Sequence, residues 1–237
     1  MPDTPALYTS ALFRRIAGGA WRPGGEELTR HGLELCAFPP GSRILDAGCG
    51  AGASLRVLSS LGLHGTGLDR EYHLSEPFPF VQGDAQNLPF ADHSFDGMLC
   101  ECVLSLLPEP EHALRSFAAV LRPGGKLLLS DLFLLEGSPL PGGTGCSSGA
   151  RPLRAMEEML DRAGFSLLFF ENHSLRLKEL AAKLLWYGDA GLCASLRGSP
   201  SSCACSSGRA RYGYGLWIAC AGNPESGQRK ASSPLPG

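Results

Sequence analysis

The sequence predicts an α/β domain with a doubly wound, mostly parallel sheet, and three observations carry that prediction. Ile44-Leu45-Asp46-Ala47-Gly48-Cys49-Gly50-Ala51-Gly52 is a short apolar run leading straight into a glycine-rich turn that opens a helix. Gly65-Thr66-Gly67-Leu68-Asp69 is a second strand-like run, ending in an acid at about the spacing of a carboxylate that holds a ribose diol. From Arg43 onward, strand-like and helical segments alternate, as in a parallel sheet with helices on both faces.

The elements follow in chain order. The first 40 residues carry Tyr8, Phe13, Trp21 and a glycine-rich hinge, then Glu26 to Phe38 at helical spacing, and read as a helical cap or lid. Strands are expected at Arg43–Asp46, Gly65–Asp69, Phe80–Gln82, Gly97–Cys100 and Lys126–Ser130. Between the last two, Leu114, Phe117, Ala118 and Leu121 share one face of a helix over Glu111–Leu121, which Arg122-Pro123-Gly124-Gly125 terminates. A helix over Pro152–Ala163, stopped by Gly164, leads to a strand near Ser166–Phe170. Asn172 or Ser174 caps a further helix reaching Tyr187, and Gly213–Cys220 is the closing strand. The stretches 136–150 and 198–209, rich in Gly, Ser and Pro, read as mobile loops, and 223–237 as a disordered tail.

Composition excludes several function classes. With 21 Lys plus Arg against 23 Asp plus Glu, a formal charge of −2 gives no general field for a phosphate backbone, so nucleic acid is not an expected partner. No apolar run approaches the roughly 18 residues of a membrane span, and the N-terminus lacks a secretory pattern, so a cytoplasmic location without membrane contact is expected. The nine cysteines then read as thiols, with Cys36, Cys49 and Cys220 as small buried hydrophobes. Oligomeric state is not readable, and no metal site is expected: Cys203-x-Cys205 is not a zinc spacing.

The punctuation of the first motif is G-x-G-x-G with an aspartate two residues before it, and Gln82-Gly83-Asp84-Ala85 precedes Leu88-Pro89-Phe90. On these residues the chain resembles the class I S-adenosylmethionine-dependent methyltransferases, of the broad type that includes the ubiquinone and menaquinone biosynthesis enzymes. The resemblance spans about Arg43 to Asp131, extends less specifically to Cys220, and implies a Rossmann-like seven-stranded sheet with the last strand antiparallel. It also implies S-adenosylmethionine as cofactor, a methyltransferase domain over 41–222 behind the cap of 1–40, and a small-molecule acceptor. By the same resemblance Asp46 organises the methionine end, and Gly48, Cys49, Gly50 and Gly52 form the wall beside it. Asp69 takes the ribose hydroxyls with Arg70 next to it, Asp84 and Ala85 meet the adenine, and Glu101 is a further cofactor-binding residue.

Methyl transfer is an in-line displacement that chiefly needs alignment and exclusion of water, with a general base only where the acceptor must lose a proton. Residues after the fourth and fifth strands are best placed to meet an acceptor: Glu101, Cys102, Ser105 and Asp131. The run Leu99 to Leu106 around Cys102, and Gly145-Cys146-Ser147-Ser148-Gly149-Ala150 ahead of a helix, resemble segments of the arsenite methyltransferases. That similarity implies thiolate ligands for a soft trivalent acceptor from Cys102 and Cys146, with Cys193, Cys203 or Cys205 as a third. The chain departs from that family at Leu55, where another cysteine is usual. His173 is a candidate base or a hydrogen-bonding junction residue, and Tyr8 and Trp21 offer aromatic faces to a sulfonium. Alternative readings are a methyltransferase for a quinone-precursor carbon or oxygen nucleophile, and a non-catalytic cofactor-binding partner subunit.

Overall fold

A computed structural model of the chain describes residues 20, 22–74, 76–138, 146–186 and 210–222. In order, these form α1 (Gly25–Cys36), β1 (Arg43–Ala47), α2 (Ala53–Ser60), β2 (His64–Asp69), β3 (Phe80–Gln82), β4 (Phe95–Glu101), a 3₁₀ turn (Leu104–Leu106), α3 (Pro110–Val120), β5 (Leu121–Glu136), β6 (Arg151–Pro152), α4 (Leu153–Arg162), β7 (Phe165–Asn172), α5 (Ser174–Trp186) and β8 (Arg211–Ala221). Tyr8, Phe13, Trp21, Cys193, Cys203, Cys205, the 198–209 stretch and the tail lie outside the described residues.

The sheet order is β3-β2-β1-β4-β5-β8-β7. Strands β1 to β5 pair in parallel, whereas β8 runs antiparallel between β5 and β7. This is the seven-stranded arrangement with an inverted last strand; in addition, the two-residue β6 pairs with β5 off the main path.

Strand alternation distributes the core over the two faces. On one face Leu45, Met98, Leu127, Leu129 and Trp217 pack with Leu114 and Phe117 of α3 and Met156 and Leu160 of α4. On the other, Ile44, Leu99, Leu128, Leu216 and Ile218 meet Leu28 and Leu33 of α1 and Leu55 and Leu58 of α2. Helix α1 comes close because Gly32 leaves room: a Cβ there would sit 2.6 Å from Leu128 Cδ1. The described part of the expected cap therefore packs directly on the sheet, against β5, β8 and α2.

The expected and observed boundaries differ most at β5. The Arg122–Gly125 stretch is an irregularity within it, since Phe95 pairs with Leu121 and Gly97 already with Lys126. The strand then runs six residues past Ser130, held there by five of its ten register pairs with β8. Pairing with β8, invisible to local periodicity, sets that length.

Candidate active site

The glycine-rich turn joins β1 to α2 at the centre of the sheet, where the strand order reverses and the carboxyl ends of β1 and β4 diverge. That is where ligands of open α/β sheets lie. Gly48, Gly50 and Gly52 have φ of 82°, 49° and 81°, the left-handed region glycine enters without a Cβ penalty. A Cβ at Gly48 would also run into Val103. The turn is tied to β2: Leu68 O accepts from the backbone N–H of Gly48 (2.7 Å) and Cys49 (3.1 Å), and Asp69 Oδ2 accepts from Gly50 N–H at 2.9 Å. The Cys49 side chain is buried against Gly67 under the turn, in the role expected of a small hydrophobe, and its thiol pKa is raised by that burial.

Asp84 follows β3, and its Oδ2 accepts from Arg70 Nη2 at 3.0 Å while its Oδ1 accepts from Gln86 N–H at 2.9 Å. Burial pushes its pKa up, but these hydrogen bonds and the Arg70 charge outweigh it and hold the carboxyl below its ordinary range. Ala85 is buried beside it. Asp46, Asp69, Arg70, Asp84 and Ala85 thus stand at the carboxyl ends of adjacent strands, on the same rim as the glycine turn.

At the end of β4, Glu101 is buried in a polar network that sequence reading missed. Its Oε1 accepts from Thr29 Oγ1 at 3.0 Å; its Oε2 accepts from Ser54 Oγ at 2.7 Å and pairs with Arg22 Nη2 at 2.9 Å. Arg22 also donates to Thr29 and to Ser54. Burial works against the Arg22 charge, yet Glu101, Tyr214 and Asp46 raise its pKa overall. The signal for this network was weak: one threonine on the otherwise apolar face Leu28, Leu33, Cys36 of α1, and an arginine inside the hinge.

Among the described residues, two buried atoms of this region lack a hydrogen-bond partner, Arg22 Nε and Asp46 Oδ2. Asp46 is 2% exposed, and burial, reinforced by the Glu101 charge, pushes its carboxyl from the ordinary 3.8 to about 8. A cation donor and a carboxylate oxygen, both left over beside a glycine cradle, match the carboxylate and ammonium of an amino-acid zwitterion. The residues present therefore fit the methionine end of the expected cofactor.

Beyond Glu101 the chain turns at Cys102, which has φ 58°, a strained value for a residue with a Cβ. Cys100, two residues earlier, packs in the core on the α3 and α4 face. Simple alternation would send Cys102 the same way, but the left-handed residue redirects it to the opposite cluster, with Cys146, Tyr214 and Leu216. There Cys102 Sγ lies 3.2 Å from the Tyr214 hydroxyl, which donates to Ser130 Oγ at 3.0 Å. Cys146, 44 positions away in sequence, is close enough for its charge to act on Cys102. Burial raises the Cys102 pKa first, and the Asp131 and Cys146 charges add to it. The Cys146 turn seats tightly on this loop, since a Cβ at Gly149 would overlap the Ser105 carbonyl.

Asp131 supports that loop. Its Oδ2 accepts from Ser105 N–H (2.8 Å), and its Oδ1 accepts from Ser105 Oγ (2.6 Å) and Leu132 N–H (2.7 Å). Burial lifts its pKa to about 6 against those bonds, so both oxygens are engaged in holding Ser105. His173 is not brought to the thiols: its Nε2 lies 2.9 Å from Glu171 Oε2 at the junction of β7 and α5. Asn172 Oδ1 accepts from Ser174 N–H at 3.0 Å there, capping α5 as one of the two expected residues. Leu55 is fully buried in the core cluster on the α1 and α2 face of the sheet.

A fold of this topology with a glycine turn and acids along its rim defines a scaffold for a nucleotide-type cofactor, and comparison with known proteins narrows it. A family profile described as a methyltransferase domain matches residues 45–129. The O-methyltransferase rstn1 of Aspergillus nomiae is 37% identical over 161 residues, covering 56% of this chain and 72% of the relative. The arsenite methyltransferase of Halobacterium salinarum is 31% identical over 154 residues, covering 55% of this chain and 39% of the relative. Phosphoethanolamine N-methyltransferase 2 of Haemonchus contortus, solved with phosphomonomethylethanolamine and S-adenosylhomocysteine, superposes with a TM-score of 0.72 at 19% identity; 89% of this chain and 57% of that one are covered, a likeness of fold.

The chain belongs to the class I S-adenosylmethionine-dependent methyltransferases. It is an enzyme of that class, with S-adenosylmethionine as its cofactor. Among the described residues no helix is long and apolar enough to cross a membrane.

Proposed function

We propose that this methyltransferase acts on a soft, thiophilic small molecule, with trivalent arsenic as the leading acceptor and sulfur or selenium compounds in the same class. The observation that carries this reading is that Cys102 and Cys146 are buried in the same cluster, near enough for their charges to interact, with the Cys102 thiol 3.2 Å from the Tyr214 hydroxyl. Thiols suit a soft trivalent centre. Capture is balanced without a standing thiolate: each S–H loses its proton, each arsenic–oxygen bond that breaks releases a hydroxyl, and the two leave as water. The raised pKa of the buried Cys102 thiol is compatible with that exchange.

In this reading Asp46 and Arg22 hold the methionine zwitterion, and Gly48, Cys49, Gly50 and Gly52 admit it along the backbone. Asp69 takes the ribose, and Asp84, backed by Arg70, takes the adenine with Ala85. Glu101 acts as the buried anchor that fixes Arg22, Thr29 and Ser54. When bound, the cofactor supplies a methyl group on a sulfonium, which leaves as a neutral thioether when the acceptor's lone pair attacks. The chain's part is to align that lone pair through Cys102 and Cys146 and to keep water out. Asp131 and Ser105 position the cysteine loop, and no general base is needed for an acceptor that attacks through a lone pair.

The second reading is an oxygen nucleophile, favoured by the 72% coverage of an O-methyltransferase relative. A fully reducing compartment such as the cytoplasm suits the thiol chemistry.

Calorimetric titration of reduced, metal-free protein with S-adenosylmethionine, repeated with arsenite and with the Cys102→Ser, Cys146→Ser double variant, separates the readings. The expected result is cofactor binding in both proteins and arsenite binding in the wild type alone. Arsenite binding that survives the double substitution, or is absent from both, removes the thiophilic acceptor.

A further inference from the structure

Away from the cofactor rim, three side chains that the proposed reaction does not use converge between α1 and the β7 edge. His31 Nε2 lies 2.6 Å and His173 Nε2 2.9 Å from the same oxygen, Glu171 Oε2. The two imidazoles meet edge to face, with centroids 5.9 Å apart at 69°. One ligand atom from each of the three lies within 4.8 Å of the others, and all three side chains are half-buried. We propose that His31, Glu171 and His173 form a binding site for a divalent transition metal, of the zinc class, that ties α1 to the corner between β7 and α5.

The geometry is nearly that of a ligand set. Tetrahedral zinc with bonds of about 2.0–2.2 Å needs donors roughly 3.3 Å apart. The present separations of 2.6 and 2.9 Å need to open by only about half an ångström. The His173 and Glu171 positions are built in, because residues i and i+2 of an extended segment share a side. Two imidazoles and one carboxylate select zinc, cobalt, nickel or copper over calcium or magnesium, which take oxygen ligands. Half exposure leaves a fourth position for water.

The neighbouring charges are accommodated. Arg30, adjacent to His31, donates to Ser60 Oγ at 3.1 Å, and Arg176 of α5 is paired with Glu27 of α1 at 2.9 Å and with Glu179 at 3.4 Å. A metal at His31 would reinforce that same α1–α5 contact. Thr29, two residues before His31, donates to Glu101 at 3.0 Å, so pinning α1 also steadies the polar network behind the cofactor rim.

The test uses the full chain, stripped with a chelator and titrated with Zn²⁺ and with Co²⁺. One site is expected, with cobalt ligand-field bands but no thiolate charge-transfer band, and with a zinc-dependent rise in melting temperature. His31→Ala, His173→Ala and Glu171→Gln should each weaken Zn²⁺ binding at least tenfold and abolish the thermal shift. The Cys102→Ser, Cys146→Ser protein should bind as the wild type does. Failure of the wild type to bind either ion overturns the proposal, as does binding that shows thiolate bands and survives the histidine substitutions. Glu171→Gln, which keeps the side chain's size, serves if a histidine variant does not fold.

Discussion

The Cys102 thiol lies 3.2 Å from the hydroxyl of Tyr214, a fully buried tyrosine on the inverted strand β8 that also donates to Ser130. A residue just past β4, one within β5 and the last strand are thereby joined by one hydroxyl. Tyr214→Phe leaves Ser130 and Cys102 without that partner, at a cost of about 1–3 kcal/mol in unfolding free energy. The reading above expects S-adenosylmethionine affinity to stay within twofold while turnover of the acceptor falls; urea denaturation and a split of kcat from KM check both halves.

Cys102 also carries backbone strain. At an extended position glycine is worse than alanine by about 0.5–1 kcal/mol, but at φ 58° the order should reverse or vanish. Cys102→Gly is therefore expected to be at least as stable as Cys102→Ala. Paired chemical denaturation of the two variants reads this directly, and a glycine variant less stable by the ordinary margin would contradict the left-handed turn.

The Arg22–Glu101 pair is buried on both sides, with side chains 8% and 3% exposed. Removing one partner of such a pair strands the other, so Arg22→Ala should cost about 3–5 kcal/mol. The Arg22→Ala, Glu101→Gln double variant leaves no unpaired charge and should be more stable than the sum of the two singles. A double-mutant cycle by urea denaturation measures that coupling.

On the proposed reading, Asp46 links cofactor binding to pH. With its pKa raised by burial to about 8, the folded chain binds a proton there that the unfolded chain, near 3.8, has lost. This group's contribution to stability is therefore fully present below about pH 3.8 and declines as pH rises to about 8. An ammonium bound at Asp46 favours the carboxylate, so cofactor uptake should release a proton and tighten by up to tenfold per pH unit below about 8. Asp46→Asn should abolish the release, as calorimetry in buffers of different ionisation enthalpy would show.

Legibility of the sequence followed the range of the interaction. Gly48, Gly50, Gly52 and Asp69 were readable because a sharp turn against β2 demands glycine locally and the acid closes on Gly50 N–H from a fixed distance along the chain. The inverted β8 was not readable from periodicity, which is identical for parallel and antiparallel strands; only the family resemblance supplied it. The face on which Cys102 lies depends on a single dihedral angle, and strand alternation alone points the wrong way. Arg22, Thr29 and the His31–Glu171 contact join residues 72 to 140 positions apart, a range no local pattern reaches.

Seating of the Cys146 turn on Ser105 gives a test that substitutes neither cysteine. Gly149→Ala forces a Cβ into the Ser105 carbonyl and should lift Cys146 away from Cys102. Cofactor affinity is expected to hold while arsenite affinity drops at least tenfold, both by calorimetry.

The most direct measurement is a search by mass spectrometry for trideuteromethyl arsenic after incubating the reduced protein with arsenite and S-adenosylmethionine labelled at the methyl group. Labelled methylarsenic from the wild type, lost in Cys102→Ser and in Cys146→Ser while both still bind the cofactor, is the predicted result. Bound cofactor with no labelled arsenic, or labelled product that persists without both thiols, would contradict a thiophilic acceptor held by these two cysteines.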